Sequence, residues 1–228
     1  HLRAHKGTAF LMRDYEYLVE MSKGIPAIIT YGNHNADVEG TILQSDPYLE
    51  LVITKAAVTG TIRTQLVGEY NLPNVLAAVA IGTHFSVSGD RIKKAIENYL
   101  PSNSRSQLVE KGTNTIILDA YNANPSSMKP AIENFAKLHA ADKVLVLGGM
   151  AELGKDSLSE HRAIAELISR YKWKAVILVG GDFLKVQHPF VSCRDTEEAK
   201  QWLRQQHFEN THLLIKGSRS MQMEKVLE

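Results

Sequence analysis

Apolar residues in the second half of the chain fall into short runs separated by longer amphipathic stretches. Strands are predicted at residues 115–119, 143–147, 175–179 and 212–215, each mostly apolar, as strands covered on both faces are. Helical spacing predicts helices at 125–139, 158–171, 196–206 and 218–227, and Ser157 with Glu160 and Asp195 with Glu198 stand at capping-box spacing. Repeated βα units with short connections make this half an α/β, Rossmann-like domain with a doubly wound, mostly parallel sheet.

The first half has a different rhythm. From residue 27 to 67 it is β-rich, with AIITYG, VEGTILQS, YLELVITKAAV and TIRTQLVGEY separated by Asn, Asp, Pro and Gly turns, which predicts an antiparallel β-meander. Leu72, Val75, Leu76 and Val79 then recur at helical spacing through residues 71–85, and 91–100 form a shorter helix. The run PSNSRS at 101–106 is the best linker candidate, placing a domain boundary between 1–100 and 101–228.

Composition narrows the classes of function. The 228 residues carry a formal charge of +1 with no basic stripe, which argues against nucleic acid and anionic membranes as partners. The single cysteine, Cys193, excludes an internal disulfide and a cysteine zinc cluster, and fits a reducing, cytoplasmic setting. No apolar stretch is long enough for membrane insertion, and the opening HLRAHKGTAF reads as a chain entered in mid-domain.

Candidate chemistry concentrates at 116–128, IILDAYNANPSSM. A strand runs into a polar turn and a helix, which puts Asp119, Tyr121, Asn122 and Asn124 at a strand's carboxyl end, where open α/β sheets bind ligands. Asn124 suits the helix cap and Pro125 the first helical position, and the unpaired N–H groups there favour anions. Asp and Asn are also ordinary turn residues, and most such turns bind nothing. The loop GMAELGKD at 149–156 resembles a phosphate-binding GxxxxGK[ST], but Asp156 replaces the hydroxyl and Glu152 adds negative charge. Gly180-Gly181-Asp182 lacks a GxGxxG context and reads as a tight turn. His161 lies on a stripe with Ile164, Ala165 and Ile168, as a histidine packed at the core's edge does, though its first-turn position also suits a site. No HExxH or similar spacing occurs, so no metal ligands are assigned, and no GxSxG elbow marks a hydrolase. Arg105 is either a solvated hinge residue or a cation brought to a phosphate by domain closure.

LDAYNANPSSM followed by LGGMAELG, with GEYNLPNVLAAVA before them and LIKGSR after, resembles the Mur ligase family. YNANP resembles the branch that takes D-alanyl-D-alanine as acceptor. The resemblance implies that residues 1–100 are the later part of a central ATPase domain and 101–228 the C-terminal domain. The family's GTxGKT loop, and the Glu, His and Lys around its magnesium ions, have no counterpart here; Mg2+ ligands are expected upstream, and this fragment alone is expected not to turn over ATP. The implied substrates are ATP, UDP-N-acetylmuramoyl tripeptide and D-alanyl-D-alanine, and a monomer is expected. By the same resemblance Asn71 and Asn74 lie by the adenine, Arg105 reaches the γ-phosphate, and Asp119 accepts from the ribose. Tyr121, Asn122 and Asn124 line an interdomain cleft. Ser218, Arg219 and His161 are the substrate-side candidates, with Ser218 and Arg219 assigned to the dipeptide. Departures are Tyr70 for a usual His, Leu118 for the first of two acids, and Gly149 for the Asp of LGDM. Two rival readings are a sister ligase with another acceptor and a noncatalytic nucleotide-binding module.

Overall fold

The computed structural model describes residues 1–228, which form two compact units, His1–Leu100 and Pro101–Glu228. In the first unit a short helix α1 (Leu2–His5) precedes β1 (Thr8–Met12), α2 (Glu16–Ser22) and β2 (Ala27–Gly32). Then come β3 (Val38–Gln44), β4 (Glu50–Lys55) and β5 (Gly60–Arg63), followed by α3 (Leu72–His84) and α4 (Gly89–Glu97). The five strands lie in sequence order. Only β3, β4 and β5 form the expected antiparallel meander; β1 pairs with β2 in parallel, and β2 meets β3 in parallel over two residue pairs. The prediction missed β1 and α2, and with them the crossover that a parallel β1–β2 pair requires. Leu49, Leu51, Ile53 and Ile62 pack against Leu72, Val75, Leu76 and Val79, so the apolar stripe of α3 closes this core.

The second unit holds β6 (Gln107–Lys111), β7 (Asn114–Asp119), α5 (Pro125–Lys137), β8 (Lys143–Gly148) and α6 (Ser157–Ile168). It continues through β9 (Ala175–Val179), β10 (Val191–Cys193), α7 (Thr196–Gln206) and β11 (His212–Lys216). The sheet order is β10-β9-β8-β11-β7-β6, all parallel except β6, which runs antiparallel to β7. The expected mostly parallel sheet is therefore present, with the short β6 and β10 added at its edges. Period-two alternation sends Ile116, Leu118, Val144, Val146, Ile177, Val179, Leu213 and Ile215 into one core with Ala199 of α7. Leu118 belongs to that core and is buried.

Helix α5 starts as its sequence requires. Asn124 Oδ1 accepts from Ser127 N at 2.9 Å, and Ser127 Oγ accepts from Asn124 N at 3.2 Å, so both ends of a capping box are made. At α7, Asp195 Oδ1 accepts from Glu198 N, but Glu198 turns to Arg194 N at 2.6 Å. The box expected at Ser157 is not made, because α6 begins after a 3₁₀ turn, Gly154–Asp156, and Ser157 already lies inside the helix.

The C-terminal segment departs most from prediction. In place of one α-helix there are two 3₁₀ turns, Arg219–Met221 and Met223–Leu227, separated by Gln222 in the left-handed region at φ 49°. This break lets Met223 enter the core, where it is fully buried against Gly217 and Gly148. A Cβ on Gly217 would lie 2.5 Å from Met223 Cγ. At Gly149 a Cβ would stand 2.9 Å from the Cα of Gly181, so the ends of β8 and β9 approach through two bare backbones.

Two outcomes follow from this packing. Gly149→Ala should destabilise the second unit by about 1–3 kcal/mol through overpacking against fixed backbone, seen as an earlier midpoint in urea with an unchanged slope. Cys193 is buried, and desolvation first, then Glu198 and Asp195, pushes its thiol up to about 11. At pH 8 it should react with a thiol reagent about a hundredfold more slowly than the urea-unfolded chain, because the thiolate attacks and so little of it is present. Equal rates in the two states would contradict the buried placement.

Candidate active-site edge

Parallel strands deliver their carboxyl ends to one edge of a sheet, and β7, β8, β9 and β11 end there with Asp119, Gly148, Val179 and Lys216. Because β6 is antiparallel to β7, its first residue, Gln107, pairs with Leu118, and the residues before it arrive at the same edge. Tyr121 N donates to Ser104 O at 3.2 Å, and Ser106 N donates to Asp119 Oδ1 at 3.1 Å. The stretch read as a linker is thereby bonded onto the strand-to-helix turn.

Arg105 is held against that turn, its guanidinium carbon 3.6 Å from the centre of the Tyr121 ring. Both residues are exposed, and an arginine on a tyrosine face at this distance is a cation–π contact. Arg219 approaches the same ring, at 6.0 Å from its centre, while its Nη1 lies 3.3 Å from Glu224 Oε1. Two guanidinium groups therefore share one exposed aromatic ring, and each is a donor fork suited to phosphate or carboxylate oxygens.

Asp119 is more constrained than the sequence indicates. Besides the Ser106 amide, its Oδ2 accepts from Lys216 Nζ at 2.6 Å. Lys216 is 2% exposed and also donates to Asn122 O at 3.0 Å. In the sequence Lys216 is marked only by its place in KGSR and at the end of an otherwise apolar strand. An ionised carboxylate offers about four acceptor positions, so two of them on Asp119 are used inside the protein, and its side chain keeps 14% exposure.

The remaining candidates separate into exposed and internal groups. Asn122 is exposed, with its Oδ1 accepting from Ala123 N, and Asn124 is the helix cap. Ser218 is buried, its Oγ 3.2 Å from Ser220 Oγ, so of the Ser218–Arg219 pair only Arg219 presents a side chain to solvent. His161 is fully buried, as its place on the stripe with Ile164, Ala165 and Ile168 predicts, and both ring nitrogens are engaged. Its Nδ1 donates to Ser157 O at 2.7 Å, and its Nε2 accepts from Met150 N at 3.0 Å, which places the proton on Nδ1. The ring stands edge-on to Phe183 at 4.6 Å. His161 thus holds the loop after β8 and has no polar atom directed outward. In the first unit Asn71 is buried, donating to Val67 O at 2.9 Å and accepting from Asn74 Nδ2 at 3.0 Å; Asn74 is the exposed member.

No group of three or more His, Cys, Asp or Glu side chains able to hold a metal ion is present. The edge as built can receive an anion at its guanidinium groups and a hydroxyl donor at Asp119.

Residues 104–219 match the model of the Mur ligase family's glutamate ligase domain. Over 174 residues the chain is 30% identical to the UDP-N-acetylmuramoyl-tripeptide–D-alanyl-D-alanine ligase of Treponema pallidum, covering 72% of this chain and 38% of that protein. It is 27% identical over 212 residues to the ligase of the same name from Bacillus subtilis, covering 86% and 45%. Among solved structures, MurF from Acinetobacter baumannii superposes with a TM-score of 0.85 at 24% identity, covering 97% of this chain and 51% of that one. MurF from Thermotoga maritima in complex with ADP gives 0.80 at 19% identity, covering 97% and 52%. The chain spans about half or less of the length of these relatives. The family match covers just over half of the chain and takes in the whole sheet edge from Arg105 to Arg219, and the chain belongs to the Mur ligase family.

Proposed function

We propose that this chain is part of an ATP-dependent ligase that adds D-alanyl-D-alanine to UDP-N-acetylmuramoyl tripeptide. The observation that carries the reading is the YNANP turn, held between Arg105 and Lys216 at the carboxyl edge of the sheet, in a chain whose full-length relatives bear that ligase's name. In the proposed reaction the tripeptide's terminal carboxylate takes the γ-phosphoryl group of ATP, and ADP leaves. The amine of the dipeptide then attacks the acyl phosphate, forming the amide and releasing inorganic phosphate and a proton.

What these residues supply is charge and position. Arg105, exposed and bent onto Tyr121, is a fixed-charge fork for phosphoryl oxygens. Asp119 accepts from ribose hydroxyls with the acceptor directions left by Lys216 and Ser106. Asn74, the exposed amide, takes the adenine edge, with buried Asn71 behind it. Tyr121, Asn122 and Asn124 shape the turn that follows Asp119. Arg219 receives the carboxylate of the incoming dipeptide. Magnesium enters no step assigned to these residues, since its ligands are expected on the phosphate-loop region that this sequence does not contain. We place the protein in the cytoplasm, a reducing setting that its single free cysteine fits, and take it to act as a monomer.

The test is phosphate release by the full-length protein containing this chain, given ATP, magnesium and UDP-N-acetylmuramoyl tripeptide. Release should require D-alanyl-D-alanine, and Arg105→Ala should lower kcat about 10²–10³-fold, as loss of one donor to a developing charge does. Release with a single amino acid instead would make the protein a sister ligase. Absence of release from a folded protein would leave a noncatalytic nucleotide-binding module.

A further inference from the structure

We propose that Lys216 is a positioning residue, which sets the carboxylate of Asp119 and the turn at residues 120–124 in the orientation that a nucleotide's ribose meets. The use of the ribose rests on the function proposed above; the positioning itself does not.

The geometry begins with register. Lys216 and Asp119 are direct partners across the parallel β11–β7 pair, the last residues of their strands. Neighbouring side chains at paired positions share a face of the sheet, and here they meet at 2.6 Å. The second bond of the ammonium, to Asn122 O, reaches past the end of β7 into the turn. Asp119 in turn receives the Ser106 amide through its other oxygen, and Ser104 O receives Tyr121 N. One buried cation therefore joins β11, the end of β7, the YNANP turn and the backbone on either side of Arg105.

Stability alone is a poor reason for such a group. Removing a lysine and a carboxylate from water costs several kcal/mol per ion, and apolar pairs of similar size are often as stable or better. Packing does not demand it either, because the preceding positions of β11, Leu213, Leu214 and Ile215, are filled by apolar side chains. What an apolar residue lacks is the means to hold a carboxylate oxygen and a turn carbonyl at once. With Oδ2 drawn to Lys216 and Oδ1 to Ser106, the carboxylate has one orientation, and its remaining acceptor directions are preset.

The test uses amide hydrogen exchange on this 228-residue chain, read residue by residue. Lys216→Gln should raise exchange at Ser106 and Tyr121 by about tenfold or more while Leu145 and Ile177, in the centre of the sheet, stay within about twofold. A uniform rise across the sheet, or no change at Ser106 and Tyr121, would overturn the proposal. Lys216→Met with Asp119→Asn removes both charges, so that its folding does not depend on an unpaired buried carboxylate; the same local loosening is expected. In the full-length protein Lys216→Gln should raise KM for ATP about tenfold or more, with kcat within about threefold and KM for the muramoyl tripeptide unchanged. Loss of kcat at an unchanged KM for ATP would overturn the ribose assignment. If no ATP-dependent activity exists, the ligase reading falls while the exchange result still decides the positioning role.

Discussion

A lysine ammonium with 2% exposure, 2.6 Å from an aspartate, is the contact on which the carboxyl edge of the second unit's sheet depends. Such a pair tolerates little displacement. Attraction between the charges offsets their lost hydration only when the remaining donors and acceptors are also paired, and here the partners are backbone groups of the neighbouring turn and of residue 106. The requirement for a satisfied buried charge thus becomes a requirement on where the YNANP turn lies.

The rest of the edge is arranged to let this happen. β11 is the last strand made in the chain, yet it inserts between β8 and β7, which brings residue 216 beside residue 119. The bare backbones of Gly149 and Gly181 bring the loops after β8 and β9 close together, and His161 fixes the first of these loops through Met150 N. Met223 seals the floor against Gly217 and Gly148, and the left-handed residue Gln222 lets it turn inward. The Asp of the family's LGDM motif is absent at position 149, where a side chain would meet the backbone of Gly181.

Arg105 shows how a mobile type of residue acquires a fixed place. Nothing in PSNSRS specifies a conformation, and its Ser and Asn residues suit a linker. The antiparallel pairing of β6 with β7 returns this segment to the sheet edge, where the Tyr121 ring holds the guanidinium by a contact of the kind worth about 0.5–1 kcal/mol at an exposed site. That is strong enough to bias the side chain and too weak to lock it.

Local rules account for what the sequence by itself determined: the parallel strands of the second unit, the cap at Asn124, the helix carried by Leu72, Val75, Leu76 and Val79, and the gathering of Asp119 and its turn at a strand end. Each follows from periodicity or turn chemistry within a few residues. Tertiary structure decided the rest. The crossover between β1 and β2 and the break at Gln222 depend on partners remote in sequence or on a neighbouring element. The bond between Lys216 and Asp119 spans 97 residues of chain and exists only because one strand enters the sheet between two earlier ones. A lysine at the end of an apolar strand carries no sign of where its charge will be met, because strand order is set by the packing of whole βα units rather than by the strand itself.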